Sequence, residues 1–147
     1  MTRSLALLPA LLALALPAAA SAAPVPWGGN GFNDLGPASA LLSVANGKVK
    51  VKNVQMIMAC TDAEDGTESS RAFDAQFRTA TALDRNRYAI SFTATSGGRV
   101  GHVRLNGVLR SNGTGTIRIR IVATGTGEGG EIVERCQGET RFALRRP

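Results

Sequence analysis

Residues 116–121 read Thr-Ile-Arg-Ile-Arg-Ile, and residues 48–52 read Lys-Val-Lys-Val-Lys. Side chains alternate faces along a strand, so a period of two sends Ile117, Ile119 and Ile121 one way and Thr116, Arg118 and Arg120 the other. The same period puts Val49 and Val51 opposite Lys48, Lys50 and Lys52. After Lys52-Asn53 the apolar set Val54, Met56, Met58 and Cys60 resumes in the other phase. One extra residue restores the inward phase, which predicts a bulge at this point. Phe73, Ala75 and Phe77 continue the alternation, as do Tyr88, Ile90 and Phe92, then Val103, Leu105 and Leu109, then Ile132, and finally Phe142 with Leu144.

Turn signals separate these runs. Asn46-Gly47 and Asn112-Gly113 are tight-hairpin dipeptides, because both residue types tolerate positive φ. Gly97-Gly98 parts two further runs, and Gly125–Gly130 reads as a flexible loop. Short strands recurring with turns between them, and no helical stripe, predict an all-β antiparallel sandwich, immunoglobulin-like or jelly-roll-like. A small closed β-barrel is the alternative. The tryptophan that an antibody-type domain carries between its two cysteines is missing.

The chain has 147 residues, with 17 Lys+Arg against 11 Asp+Glu and a formal net charge of +6. A charged share of 19% with a hydrophobic share of 44% excludes a disordered or collagen-like chain. Residues 1–22 read as a secretory signal peptide. Arg3 is its positive start, Leu5–Leu16 its apolar run, and Ala20-Ser21-Ala22 its cleavage site. Residues 23–40 hold prolines and glycines without periodicity, as a linker or irregular lead-in does; Trp27 and Phe32 inside it are expected to pin it across an open sheet edge. Residues 41–147 then form one all-β domain. An exported chain meets oxidising conditions, so Cys60 and Cys136 are expected to form a structural disulfide, placed between the sheets of a sandwich.

The order GKVKVKNVQMIMAC, AFDAQF, YAISF, GTIRIRI and C-x-G-x-x-x-F-x-L-R-R, over residues 47–146, resembles a group of small secreted two-cysteine proteins from high-GC bacteria. The group has no known function. The resemblance implies a fold and a compartment, secreted or periplasmic, and carries over no catalytic residues.

Sites of chemistry are few. His102, the one histidine, falls on the outward phase of its strand and has no second His to build a zinc site. Asp62, Glu64, Asp65 and Glu68 crowd one loop, where oxygen ligands could hold Ca²⁺ or a carboxylate pair could serve a hydrolase. The loop departs from EF-hand spacing and reads first as a solvated connection. Asn112-Gly113-Thr114 is a glycosylation sequon, expected to stay unmodified in a bacterial protein. The basic residues are better ordered. Lys48, Lys50 and Lys52 share one strand face, Arg118 and Arg120 another, and Arg141 and Arg145 lie near the end. If such strands are neighbours, their rows form a face for anionic polymers. Aromatics are 5% of the chain, which argues against nucleic acid and against a carbohydrate platform of flat aromatic rows. The expected function is a non-catalytic extracellular or envelope module without cofactors, contacting anionic cell-envelope polymers or another extracellular protein. The alternative is an extracellular hydrolase using the carboxylates of residues 62–68.

Overall fold

The computed structural model describes residues 22–78 and 80–147. The signal-peptide expectation for residues 1–22 therefore lies almost wholly outside the described residues. Nine strands follow in chain order: β1 (Val25–Asn33), β2 (Gly36–Ala45), β3 (Lys48–Asp62), β4 (Glu68–Ala75), β5 (Thr81–Ala82), β6 (Arg87–Ser96), β7 (Arg99–Leu109), β8 (Thr114–Thr126) and β9 (Ile132–Arg145). All pairings are antiparallel, in the order β4-β3-β2-β1-β9-β8-β7-β6, with β5 added to β3. This is the all-β antiparallel class expected from the alternation. It takes the form of one sheet folded over on itself in a sandwich-like manner. Its end strands β4 and β6 approach without a ladder, and the Asp74 amide donates to Ser96 Oγ across the seam at 3.0 Å.

The inward residues form the core. Val49, Val51, Val54, Met56 and Met58 of β3 are buried, as are Phe73 and Ala75 of β4, Tyr88 and Ile90 of β6, Val103 and Leu105 of β7, the three isoleucines of β8, and Phe142 and Leu144 of β9. Each large aliphatic side chain so buried contributes ~1.5–3 kcal/mol. The β2–β3 register runs Leu41 opposite Asn53 and then Leu42 opposite Val51, so Lys52 is the extra, bulged residue. Asn46 and Gly47 both take positive φ, as do Gly97 and Gly98, and each pair closes a two-residue hairpin. At Asn112-Gly113 only Gly113 has positive φ, and the Arg110 amide bonds the Thr114 carbonyl. That turn is thus longer than the dipeptide suggests. Phe77 lies beyond the end of β4 and stacks on Phe92 with centroids 4.5 Å apart, and Ile132 is exposed.

The largest difference concerns residues 23–40. In place of an irregular lead-in, β1 and the first half of β2 form a hairpin inside the sheet, with Trp27 buried in the core. The hairpin is driven as a wedge between β3 and β9. Near one end, β1 meets β9 at Gly28 opposite Arg145. At the other end β3 and β9 pair directly, Cys60 opposite Cys136. The wedge tip sits at this fork and is tied down by three groups. Thr140 Oγ1 donates to the Phe32 carbonyl at 2.9 Å, and Asn33 Nδ2 donates to the Ile57 carbonyl at 2.6 Å. Asn33 Oδ1 accepts from the Leu35 and Gly36 amides, closing the turn.

Glycine makes the wedge possible. A Cβ at Gly29 would stand 2.2 Å from the Ala143 carbonyl oxygen, and one at Gly31 would stand 2.5 Å from the Phe142 ring. Backbone, not side chain, is what β1 packs against β9.

The disulfide joins Cys60 to Cys136, with Cα atoms 4.0 Å apart, and both residues are buried. It links neighbouring strands at the fork, which corrects the expectation of a bridge between opposed sheets. The strands that carry the cysteines are far apart in sequence but become partners because β9 returns to lie beside β3.

Candidate functional site

The charged residues fall into three groups with different geometry. The first covers the outer face of β7, β8 and β9. In the β8–β9 register Arg118 stands directly opposite Arg141, and in the β7–β8 register Arg104 stands directly opposite Arg120. All four are exposed. Like charges facing each other across a ladder are destabilising, by ~0.2–1 kcal/mol relative to neutral pairs. Here two such pairs sit side by side, because Arg118 and Arg120 are two residues apart on one strand. Glu139 offsets part of this charge: it faces Arg120 in register and its Oε1 accepts from Arg118 Nε at 2.7 Å. Both partners are about half exposed, so the pair contributes little.

Hollows adjoin the arginines. Arg87, Asn106, Arg118 and Arg141 surround one of about 430 Å³, and His102, Arg104, Arg120 and Val122 surround one of about 260 Å³. His102 points outward as expected, with its Nδ1 3.2 Å from Thr93 Oγ1. Arg145 lies farther along β9, opposite Thr114.

The lysines stand elsewhere. Lys48 and Lys50 lie on β3 opposite Ala45 and Ser43, and Lys52 occupies the bulge. The wedge hairpin and β9 intervene between β3 and β8. Four strand spacings, ~19 Å at ~4.8 Å each, separate the lysine row from β8 across the sheet, and Arg118 and Arg120 are further offset along the strands. The arginines of β8 and β9 come together; the lysines do not join them. Arg104 and Arg87 belong to the arginine face and went unmarked in the sequence. The signal for Arg104 was present, since it alternates with Val103 and Leu105 as Arg118 does with its isoleucines.

The second group is the acidic loop between β3 and β4. Asp62 Oδ1 accepts from the Glu64 and Asp65 amides at 2.8 and 3.2 Å, and Asp65 Oδ1 accepts from the Thr67 amide at 2.8 Å. The Asp62 amide bonds the Thr67 carbonyl, and the Ala63 amide bonds the Val133 carbonyl. These are side chains shaping their own turn. The Thr67 side chain and then its amide hold the Asp65 carboxyl below its usual 3.8. Among the described residues, no three carboxylates of Asp62, Glu64, Asp65 and Glu68 converge as metal ligands.

The third group lies beside the disulfide. Glu134 of β9 is bonded by Arg99 of β7, with Arg71 Nε of β4 at 3.3 Å and Ser69 Oγ at 3.4 Å. Its carboxylate approaches Cys60 and Cys136, but those sulfurs are bonded to each other and so are not free to bind a metal. The cluster ties β4, β7 and β9 together at one mouth of the folded sheet. It is built for structure. No protein-family model, curated protein or solved structure matches the chain.

Proposed function

We propose that this protein is a non-catalytic extracellular or envelope module that contacts anionic polymers through the outer face of β7, β8 and β9. The observation that carries the reading is the pair of arginine–arginine registers, Arg104 with Arg120 and Arg118 with Arg141, countered nearby by Glu139 alone. Such juxtaposition costs folding stability, and a polyanion laid across it relieves the repulsion. Guanidinium forks suit phosphate and carboxylate groups, which they bind with two parallel hydrogen bonds. The reading is further supported by the net charge of +6. Export is part of the proposal: it rests on the leader-like start of the sequence and on the disulfide, which persists in oxidising compartments. No described helix is long and apolar enough to cross a membrane.

Co-sedimentation with isolated cell-wall material at low and high salt tests the proposal. Binding at low salt should disappear at high salt, because exposed charge contacts are screened. Replacing Arg118 and Arg141 by Ser should weaken binding at least about tenfold, as should replacing Arg104 and Arg120. Replacing Lys48, Lys50 and Lys52 should do much less. Absence of binding at low salt, or binding indifferent to the arginine changes, overturns the proposal.

A further inference from the structure

A second concave surface lies on the other half of the molecule, over the outer face of β1 to β4. Its volume is about 660 Å³, within the ~300–1,000 Å³ usual for small-ligand sites. Two rows cross its floor. One is apolar: Phe32 stands beside Pro37, and Ile57 beside Ala72. The other is polar: Asn30 stands beside Ser39, Ser39 beside Gln55, and Gln55 beside Asp74.

The two rows differ in how they are held. Phe32 is 76% exposed, an unusual state for the one aromatic ring of the hairpin tip, while Thr140 bonds its own carbonyl and the side chain of the next residue, Asn33, bonds the Ile57 carbonyl. The ring is therefore presented by an anchored turn rather than left over from a loose one. In the polar row Gln55 Nε2 donates to Asp74 Oδ2 at 2.8 Å, and Ser39 Oγ lies 3.4 Å from Gln55 Oε1. That leaves the second Gln55 N–H and the other Asp74 oxygen pre-oriented for an incoming donor–acceptor pair. Asp74 is the only charged side chain lining the hollow, and no Lys or Arg reaches it.

We infer that this groove is a binding site for a neutral saccharide. A pyranose has an apolar C–H face that packs on an aromatic ring and a rim of hydroxyls that both donate and accept hydrogen bonds. An exposed ring beside an amide–carboxylate row matches that division of chemistry. An anionic ligand would meet Asp74 unopposed, and a purely apolar one would strip water from the polar row without replacing its bonds. The site uses one ring and a polar row, not the row of flat aromatics whose absence is evident in the composition. It is independent of the arginine face, which lies on β7 to β9.

Amide NMR titration of the full chain with cellotetraose, maltotetraose and chitotetraose, each to ~10 mM, tests the inference in the weak range expected for a shallow site. At least one should give saturable shifts centred on Asn30, Phe32, Ser39, Gln55 and Asp74. Phe32→Ala should weaken that binding about tenfold without lowering the melting temperature, since the ring is mostly exposed. Asp74→Asn should weaken it too, while the Arg118/Arg141 double replacement should leave it unchanged. No saturable shift with any of the three sugars, or binding indifferent to Phe32→Ala, overturns the inference. A failure here leaves the polyanion reading standing, because that reading is tested on other residues.

Discussion

Strands β8 and β1 lie two places apart in one sheet, with β9 between them, and they are held by opposite means. In β8 every second residue from Ile117 to Ile121 is a β-branched side chain with no exposed surface. In β1 the inward positions after Trp27 are Gly29 and Gly31, and what they bury is the close approach of backbone to Ala143 and Phe142. The first arrangement writes itself into the sequence as alternation. The second writes itself as Gly and Pro, the same letters that mark a linker. The difference teaches that periodicity reports side-chain packing, and is silent where main chain packs on its neighbour.

The contrast predicts unequal responses to substitution. Ile119→Ala in β8 should destabilise by ~2–5 kcal/mol, the range for emptying a filled aliphatic site. Denaturant midpoints at constant slope would measure it. Arg118→Ala on the opposite face of the same strand should change stability by less than ~0.5 kcal/mol, since the repulsion by Arg141 and the attraction of Glu139 are both lost. A large loss there would mean that the arginine face is built for folding rather than for binding.

Next in size is the fork. Cys60 and Cys136 close a loop of sequence separation 76, so removing the bridge by a Cys60→Ser/Cys136→Ser double change should cost up to ~4 kcal/mol on the chain-entropy model. The melting temperature of the reduced or doubly substituted protein reports this. An unchanged melting curve would show that the hydrogen bonds of Thr140 and Asn33 already lock the wedge.

The wedge itself has a sharper test. Gly31→Ala adds one methyl group, which on an ordinary strand would stabilise, because glycine is a poor strand former. Here the new Cβ meets the Phe142 ring, so we expect a loss of ~1–3 kcal/mol. Gly28→Ala is the control on the same strand: its Cβ would find nothing nearer than 3.8 Å. A neutral Gly31→Ala would mean that β1 is loosely seated and that the comparison with β8 overstates its order.

What could be read from the chain follows the same division. The bulge at Lys52, the hairpins at Asn46-Gly47 and Gly97-Gly98 and nearly all inward residues of β3 to β9 were legible, because each rests on local backbone preference or on alternation. The entry of residues 25–40 into the sheet was not, nor was the direct pairing of Cys60 with Cys136. Both depend on which strands become neighbours, and a one-dimensional pattern holds no such information. The candidate site was half legible for the same reason. Arg118 and Arg120 were visible as an outward row, but their apposition to Arg141 and Arg104, and the exclusion of the lysines by the wedge, are facts of strand order.

The smallest expected effect lies in the acidic loop, where structure is as local as in any turn and owes nothing to strand order. The Thr67 side chain and amide favour the charged form of Asp65 and lower its pKa below 3.8 in the folded state. A carboxyl with a depressed folded pKa contributes stability that is present above its unfolded value and fades as pH falls through the folded one. Asp65→Asn should therefore lower the melting temperature slightly at neutral pH, and the gap to the unmodified protein should close as pH drops below about 3.8. The group is fully exposed, so ordinary salt should shrink the difference further. Calcium at ~10 mM, above the usual range of extracellular calcium modules, should leave both melting curves in place. A calcium-dependent rise that vanishes in Asp65→Asn would mean that these carboxylates swing away from their own turn amides to take an ion, and would return the loop to the list of functional sites.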